Sequence, residues 1–174
     1  MLNAEQPSVW APADAVREWR PLDAEAMNRA ARQLIGTHNF KSFKCPGTHV
    51  SDDVCNARFA QVSRQGELVI FDVVANRFLY KMVRNLMGQL VAIGRHNQNP
   101  DTILNVLDQQ DRRAAAPAAH PNGLCLMAVN YPASYNYFSR DPHVRILNQI
   151  VTLDSEMESE TNVSSYENLL RKAS

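Results

Sequence analysis

The sequence is poor in the features that mark membrane, secreted and zinc-binding proteins. It has no apolar run long enough to span a bilayer and no secretory apolar region near Met1. Its three cysteines are odd in number and show no Cys-x-x-Cys spacing. We therefore expect a soluble intracellular protein, cytoplasmic or mitochondrial, without a disulfide framework and without membrane contact.

Zinc ligation is the metal chemistry that the residue types could support. His38, Cys45, His49 and Cys55 lie near one another in sequence, at spacings of seven, four and six residues. Paired-ligand zinc sites do not have this spacing, and no Gly-rich loop or nucleophile elbow accompanies a serine or cysteine. The pattern therefore favours loop residues over a metal site or a covalent nucleophile.

An excess of one charge is also absent, since 18 Lys and Arg residues face 18 Asp and Glu residues. The balance is uneven along the chain. Residues 1–145 hold 16 basic against 13 acidic side chains, whereas residues 146–174 hold 2 against 5. A mildly basic body that could contact RNA thus precedes an acidic tail, and a basic site must be a local cluster.

The first half of the chain predicts a helix followed by a β-hairpin. Asp23 is a helix N-cap before apolar residues at i, i+3 and i+4, and Gly36 ends the helix. Residues 57–64 and 67–75 form the hairpin, and the apolar second arm is a central strand. Asp72 is the charged residue inside this apolar arm, which begins at Glu67. We interpret Asp72 as an edge-facing or satisfied buried carboxylate rather than a catalytic one.

Two segments around these elements predict no regular structure. Residues 1–20 form an irregular lead-in, and residues 37–56 form a polar loop held to the core by Phe40 and Phe43.

The second half predicts two helices and a strand. Apolar residues share one face of a central helix over residues 78–93, and Asn99 with Pro100 begins a shorter helix. Residues 124–131 form the final strand.

The polar face of the central helix carries cations. Arg77, Lys81 and Arg84 stand at i, i+4 and i+7, with Gly88 on the same side. A solvated face and a phosphate-contacting face are both open, and the missing side chain at Gly88 favours close approach of a ligand. With Arg95, these three cations are our predicted RNA-binding residues.

Three segments together resemble a known family. They read PLDAEAMNRAARQLIGTHNFKSF, FDVVANRFLYKMVRNLMGQLVAIG and NGLCLMAVNYP. In order and spacing they are similar to the C-terminal half of the tRNA pseudouridine synthase A family, over residues 21–132.

The resemblance implies an α+β fold with a mixed, mainly antiparallel sheet flanked by helices. It implies isomerisation of uridine to pseudouridine in a tRNA anticodon stem-loop, without cofactor or metal, in a basic cleft between two similar halves. By residue match, Arg84 corresponds to the arginine that pairs with the catalytic aspartate, and Leu124 to the aliphatic residue against the target base. A planar guanidinium suits that role because it binds a carboxylate through two hydrogen bonds.

The aspartate itself is missing from this sequence. The family carries it in an Arg-Thr-Asp-Ala-Gly motif of its N-terminal half, whereas here Asp14 precedes Ala-Val and Asp23 precedes Ala-Glu. A further departure is KCPGTHVSDDVCNARF, where Asp52 and Asp53 replace the family's usual basic residues. No catalytic residue is therefore expected in this chain, and Arg84 and Leu124 are supporting residues.

Three hypotheses follow for a chain divided into a lead-in (1–20), a synthase-like domain (21–132) and a divergent tail (133–174). The chain is the RNA-binding half of a synthase whose other half is a separate polypeptide, or it is part of a longer enzyme. Alternatively, it is an inactive homologue in a ribonucleoprotein such as an organellar ribosome. The expected partners are tRNA or rRNA and a protein that completes the sheet or cleft.

Overall fold

The computed structural model describes residues 1–5, 15–47 and 52–129, and residues Met1–Leu124 form one compact unit. A second unit begins at Cys125, and its described residues, 125–129, have no regular secondary structure. The predicted tail over residues 133–174 lies outside the described residues.

The first unit contains five strands and three helices among its described residues. The strands are β1 (Leu2–Asn3), β2 (Arg17–Glu18), β3 (Gly36–Asn39), β4 (Val54–Gln65) and β5 (Leu68–Ala75). The helices are α1 (Ala24–Arg32), α2 (Met82–Gly94) and α3 (Thr102–Gln109). Single 3₁₀ turns lie at Lys41–Phe43 and Arg112–Ala114.

The strands form one mixed sheet in the order β2-β1-β5-β4-β3. Only the β1–β2 pair is parallel, and the other three pairs are antiparallel. The hairpin turns at Gly66, whose φ of +58° is the left-handed conformation that glycine adopts without strain. The expected α+β class and the central position of β5 are confirmed.

Helix α1 packs against strand β4 and against helix α2, and buried residues of all three elements share the core. Asp23 caps α1 by accepting a hydrogen bond from the Ala26 N–H at 2.9 Å, as predicted. Phe40 and Phe43 are fully buried, which confirms that the segment between α1 and β4 is held to the core at these two rings. No helix among the described residues is both long and apolar enough to cross a bilayer.

Four predicted boundaries are wrong. The lead-in supplies β1 and β2, and the polar segment after α1 supplies β3, because short strands form through partners distant in sequence rather than through local periodicity. Helix α2 begins at Met82 rather than residue 78, because Lys81 has a left-handed backbone with φ of 61°. Residues 124–129 are not a strand, and residues 130–131 lie outside the described part.

Candidate functional site

A cleft of about 190 Å³ lies between the start of α2, strand β5 and the segment that follows α3. Its floor is mostly apolar, and Arg84 and His120 are its two basic side chains. The described lining residues include no aspartate and no glutamate; they are Met1, Val16, Val69, Ile70, Phe71, Val83, Arg84, Met87, Ala119, His120, Asn122, Gly123 and Leu124.

Arg84 is held in this cleft by the backbone of Ala119. The Arg84 Nε donates to the Ala119 carbonyl oxygen at 2.9 Å, and the Ala119 N–H donates to the Arg84 carbonyl oxygen at 3.0 Å. The two terminal guanidinium nitrogens have no hydrogen-bond partner among the described residues. The guanidinium is thus held at its Nε atom, and its two terminal nitrogens are left to donate to an acceptor such as a carboxylate.

Leu124 lines the same cleft, with 53% of its surface exposed. The structure therefore brings together the two supporting residues that the resemblance assigned, although 40 positions separate them in sequence. The apolar floor with one guanidinium matches a site that packs an aromatic or aliphatic group beside an anion.

Two other residues of the predicted RNA-binding set, Arg77 and Arg95, bind groups of the same chain. The Arg77 guanidinium donates to the Val54 carbonyl oxygen at 2.9 Å and lies 3.3 Å from Asp52 Oδ2. Arg95 donates to the carboxylate of Glu18, whose side chain is only 8% exposed. Arg77 and Lys81 both precede Met82, the first residue of α2, so the expected row of Arg77, Lys81 and Arg84 along one helix is wrong.

Lys81 differs from these two because its side chain is exposed. Its ammonium lies 5.3 Å from the centre of the Tyr80 ring, a cation–π contact. Tyr80 is itself 58% exposed, and Phe78 is 41% exposed. Before the start of α2, an aromatic pair and a cation therefore face solvent.

Gly88 is not an opening for a ligand, contrary to our expectation. A Cβ atom there would lie 2.0 Å from the Pro117 carbonyl oxygen, so the chain's own backbone occupies the space. Glycine is required at this position because two parts of the same protein approach each other.

The acidic residues that depart from the family pattern are paired with bases. The Lys44 ammonium lies 2.6 Å from Asp53 Oδ1, and Asp52 contacts Arg77 as described. These pairs reduce the positive charge that the loop before β4 could offer to RNA.

Asp72 is a half-buried carboxyl within strand β5. It lies opposite Gln61 across the β4–β5 ladder, and Gln61 Oε1 is buried without a hydrogen-bond partner among the described atoms. Burial raises the pKa of Asp72 above its usual value. Two acceptors therefore share this part of the sheet, and a neutral Asp72 carboxyl would supply a donor.

Sequence reasoning missed two buried polar residues of α2. Asn85 is 2% exposed and Gln89 is fully buried, and both bind the segment that follows α3. Polar residues four positions apart within an otherwise apolar helix face are the pattern that could have revealed them.

The described residues contain no group of three or more His, Cys, Asp and Glu side chains placed to bind a metal ion. Of the four zinc candidates, His49 lies outside the described residues.

Comparison with known proteins agrees with the resemblance. The family model described as tRNA pseudouridine synthase matches residues 30–132. The tRNA pseudouridine synthase A of Idiomarina loihiensis is 44% identical over 117 residues, covering 67% of this chain and 45% of that protein. The proteins of the same name from Shewanella sediminis and Citrobacter koseri are 42% and 41% identical, covering 66% and 68% of this chain and 44% of each relative. The chain thus spans just under half the length of these relatives.

Proposed function

The chain belongs to the tRNA pseudouridine synthase family, and we propose that it supplies the RNA-binding half of a site that isomerises uridine to pseudouridine in the anticodon stem-loop. The aspartate of this reaction comes from polypeptide outside the present sequence. The observation that carries the proposal is the Arg84 guanidinium, which has two donors without an acceptor in a cleft whose described lining contains no carboxylate.

The proposed chemistry assigns each residue a task. The missing aspartate attacks or stabilises a uridine that has been extruded from its stack, so that the glycosidic bond can break. Arg84 holds that carboxylate ionised through paired hydrogen bonds, and Leu124 packs against the extruded base. Neither task requires a metal or a cofactor.

The proposed RNA surface is smaller than the four cations of the sequence prediction. Lys81 and Arg84 have donors available, and Tyr80 and Phe78 offer exposed rings on which bases can stack. Arg77 and Arg95 are left out of this proposed surface, since their guanidinium groups bind Asp52 and Glu18.

Binding of the missing half tests the role of Arg84. We would titrate the purified chain with a polypeptide that carries the Arg-Thr-Asp-Ala-Gly motif and measure the dissociation constant by calorimetry. Arg84→Gln should weaken binding by about 10- to 100-fold, the effect expected for a lost hydrogen bond between charged groups. Arg32→Gln, at an exposed position in the last turn of α1, is the matched control and should change the constant by less than about twofold.

The second titration partner is the same polypeptide with its motif aspartate replaced by asparagine. Its affinity should be low for the wild-type chain and no lower for Arg84→Gln, because the two changes remove one interaction. Additive losses would show that Arg84 does not bind this carboxylate.

The alternative function is that of an inactive homologue that serves as a structural or assembly subunit of a ribonucleoprotein, such as an organellar ribosome. The observation that favours it is the pairing of Lys44 with Asp53 and of Arg77 with Asp52, which lowers the charge available to tRNA. Isolation of the native complex separates the two functions. A ribonucleoprotein without any protein that carries the aspartate motif would support the alternative.

A further inference from the structure

The segment between α3 and the cleft is held against α2 mainly by polar contacts. We name residues 110–118 the connection and residues 119–124 the rim. Four of the nine residues of the connection are alanines, and of these only Ala114 and Ala115 pack against the core. Because alanine side chains bury little apolar area, a shift of the connection along α2 would lose little hydrophobic stabilisation.

Three neighbouring positions of α2 fix the connection in place. Asn85 Oδ1 accepts from Arg112 at 3.1 Å, and Gln89 Oε1 accepts from the Ala116 N–H at 2.9 Å. Gly88, between them, leaves just enough room for Pro117. Hydrogen bonds at two points and a steric contact at a third determine a single register, since each depends on position to a fraction of an ångström.

The amides of Asn85 and Gln89 each bind a second partner. Asn85 Nδ2 donates to the Phe43 carbonyl oxygen at 2.6 Å, and Gln89 donates to Gln98. Each amide therefore links the connection to the body of the protein through two hydrogen bonds, an arrangement expected of groups that position another segment.

The rim begins where the connection ends, and its first residue binds Arg84. The Ala119 carbonyl is the acceptor that orients the Arg84 Nε, and Leu124 lies at the other end of the rim. A shift of the connection would move Ala119 and turn the guanidinium away from its present direction. We infer that Gln89 and Asn85 are positioning residues, which set the orientation of Arg84 and the shape of the cleft through the connection.

This inference rests on the proposed function only for what the cleft binds, which is the missing aspartate and the extruded base. Its test measures the isolated full chain without RNA and without the missing half. Failure of the inference can therefore be distinguished from failure of the proposed function.

The readout is the hydrogen exchange rate of the Arg84 Nε–H, measured by ¹⁵N NMR. Gln89→Met keeps the length of the side chain and removes both of its hydrogen bonds. Gln98→Met removes only the bond between Gln89 and Gln98, so it is the matched control. Gln89→Glu is the conservative variant, because its carboxylate retains an acceptor for the Ala116 N–H.

Gln89→Met should speed exchange of the Arg84 Nε–H by about tenfold, the factor expected for loss of one buried hydrogen bond. Gln98→Met and Gln89→Glu should remain within about twofold of the wild-type rate, because the contact with Ala116 survives. Thermal stability alone would not distinguish Gln89→Met from Gln98→Met, since both variants lose a buried contact.

An unchanged rate in folded Gln89→Met, or an equal rise in Gln98→Met, would overturn the inference. If Gln89→Met does not fold, Gly88→Ala takes its place. Its Cβ would lie 2.0 Å from the Pro117 carbonyl oxygen, so the connection must move while every polar partner remains. The same rise in exchange is expected there, and its absence would equally overturn the inference.

Discussion

Single side chains in this protein show how position changes what a charged residue does. Arg84, Arg77 and Arg95 belong to the same segment of sequence, yet only Arg84 lines the cleft with donors available. Arg95 instead neutralises the buried Glu18, and Arg77 fastens the start of β4. Residue type alone did not distinguish these uses, because each depends on a partner at least 23 positions away.

Lys81 combines an exposed charge with a strained backbone. We predict that its replacement by glycine raises stability and lowers RNA affinity. Lys81→Gly should raise the free energy of unfolding by about 1 kcal/mol, because glycine adopts the left-handed conformation without a steric cost. The same change should weaken binding to stem-loop RNA and reduce the magnitude of its logarithmic salt slope by about 1, through loss of one phosphate contact.

Denaturant unfolding and fluorescence titration at several salt concentrations would measure both effects. Lys41→Gly is the control, since Lys41 is exposed but has no positive φ. It should lower stability. A Lys81→Gly variant with unchanged RNA affinity would exclude Lys81 from the RNA surface.

Asp72 should make the stability of the protein depend on pH. Burial raises its pKa in the folded state above the unfolded value near 3.8. The folded state therefore favours the protonated form, and this contribution is fully present below 3.8 and is lost as pH rises through the higher folded value. Asp72→Asn should be more stable than the wild type at neutral pH, and the difference should disappear in acid.

Urea unfolding from about pH 3 to pH 7 would measure this difference. Asp108→Asn, at an exposed position of α3, is the matched control and should show no comparable gain at neutral pH. A destabilised Asp72→Asn at neutral pH would mean that the carboxylate is satisfied in its ionised form.

At the scale of elements, the tight contact between α1 and α2 organises the core behind the cleft. A Cβ at Gly94 would lie 2.5 Å from Met27 Sδ and 3.2 Å from Leu22 Cδ2. Gly94→Ala should therefore destabilise the protein by about 1–3 kcal/mol through overpacking, despite the higher helix propensity of alanine.

A double-mutant cycle with Met27→Ala tests whether this contact is the cause. Truncation of Met27 makes room for the new methyl group, so the double variant should be more stable than the sum of the single effects by at least about 1 kcal/mol. Additive effects in chemical denaturation would place the cost of Gly94→Ala elsewhere.

The elements that the sequence predicted well are those with their own local pattern. Asp23 marks the start of α1, and Gly66 marks the turn of the hairpin. Strands β1 and β2 have two residues each and take their pairing from distant segments, so no periodicity could reveal them. The start of α2 was placed too early because the apolar spacing already begins at Phe78, whereas the left-handed backbone of Lys81 starts the helix only at Met82.

The candidate site was predicted in part, and the reason is the range of its contacts. The match to the family pointed to Arg84 and Leu124 as supporting residues, and both line the cleft. The contact of Arg84 with Ala119 spans 35 residues, and that of Gln89 with Ala116 spans 27. Contacts of this range leave no trace in a local pattern, so the positioning of Arg84 required the structure.

At the scale of the whole unit formed by residues Met1–Leu124, part of strand β5 is unpaired on one side among the described residues. On the side of β5 away from β4, strand β1 pairs only near Leu68 and Val69, and residues 70–75 have no strand neighbour among the described residues. An open strand edge, beside a cleft whose described lining has no carboxylate, supports our proposal that another polypeptide completes this site.

We propose that this chain supplies Arg84 and Leu124 to a site whose catalytic carboxylate comes from another polypeptide, and pseudouridine formation tests this most directly. We would incubate anticodon stem-loop RNA with the chain, with a polypeptide that carries the Arg-Thr-Asp-Ala-Gly motif, and with both together. Pseudouridine would be quantified by liquid chromatography of the digested nucleosides, because it has the same mass as uridine. We predict product only in the combined reaction, with turnover reduced by roughly 10²–10³-fold in Arg84→Gln, the effect of losing one preorganised donor. Product formed by the chain alone, or no product in the combined reaction, would contradict the account.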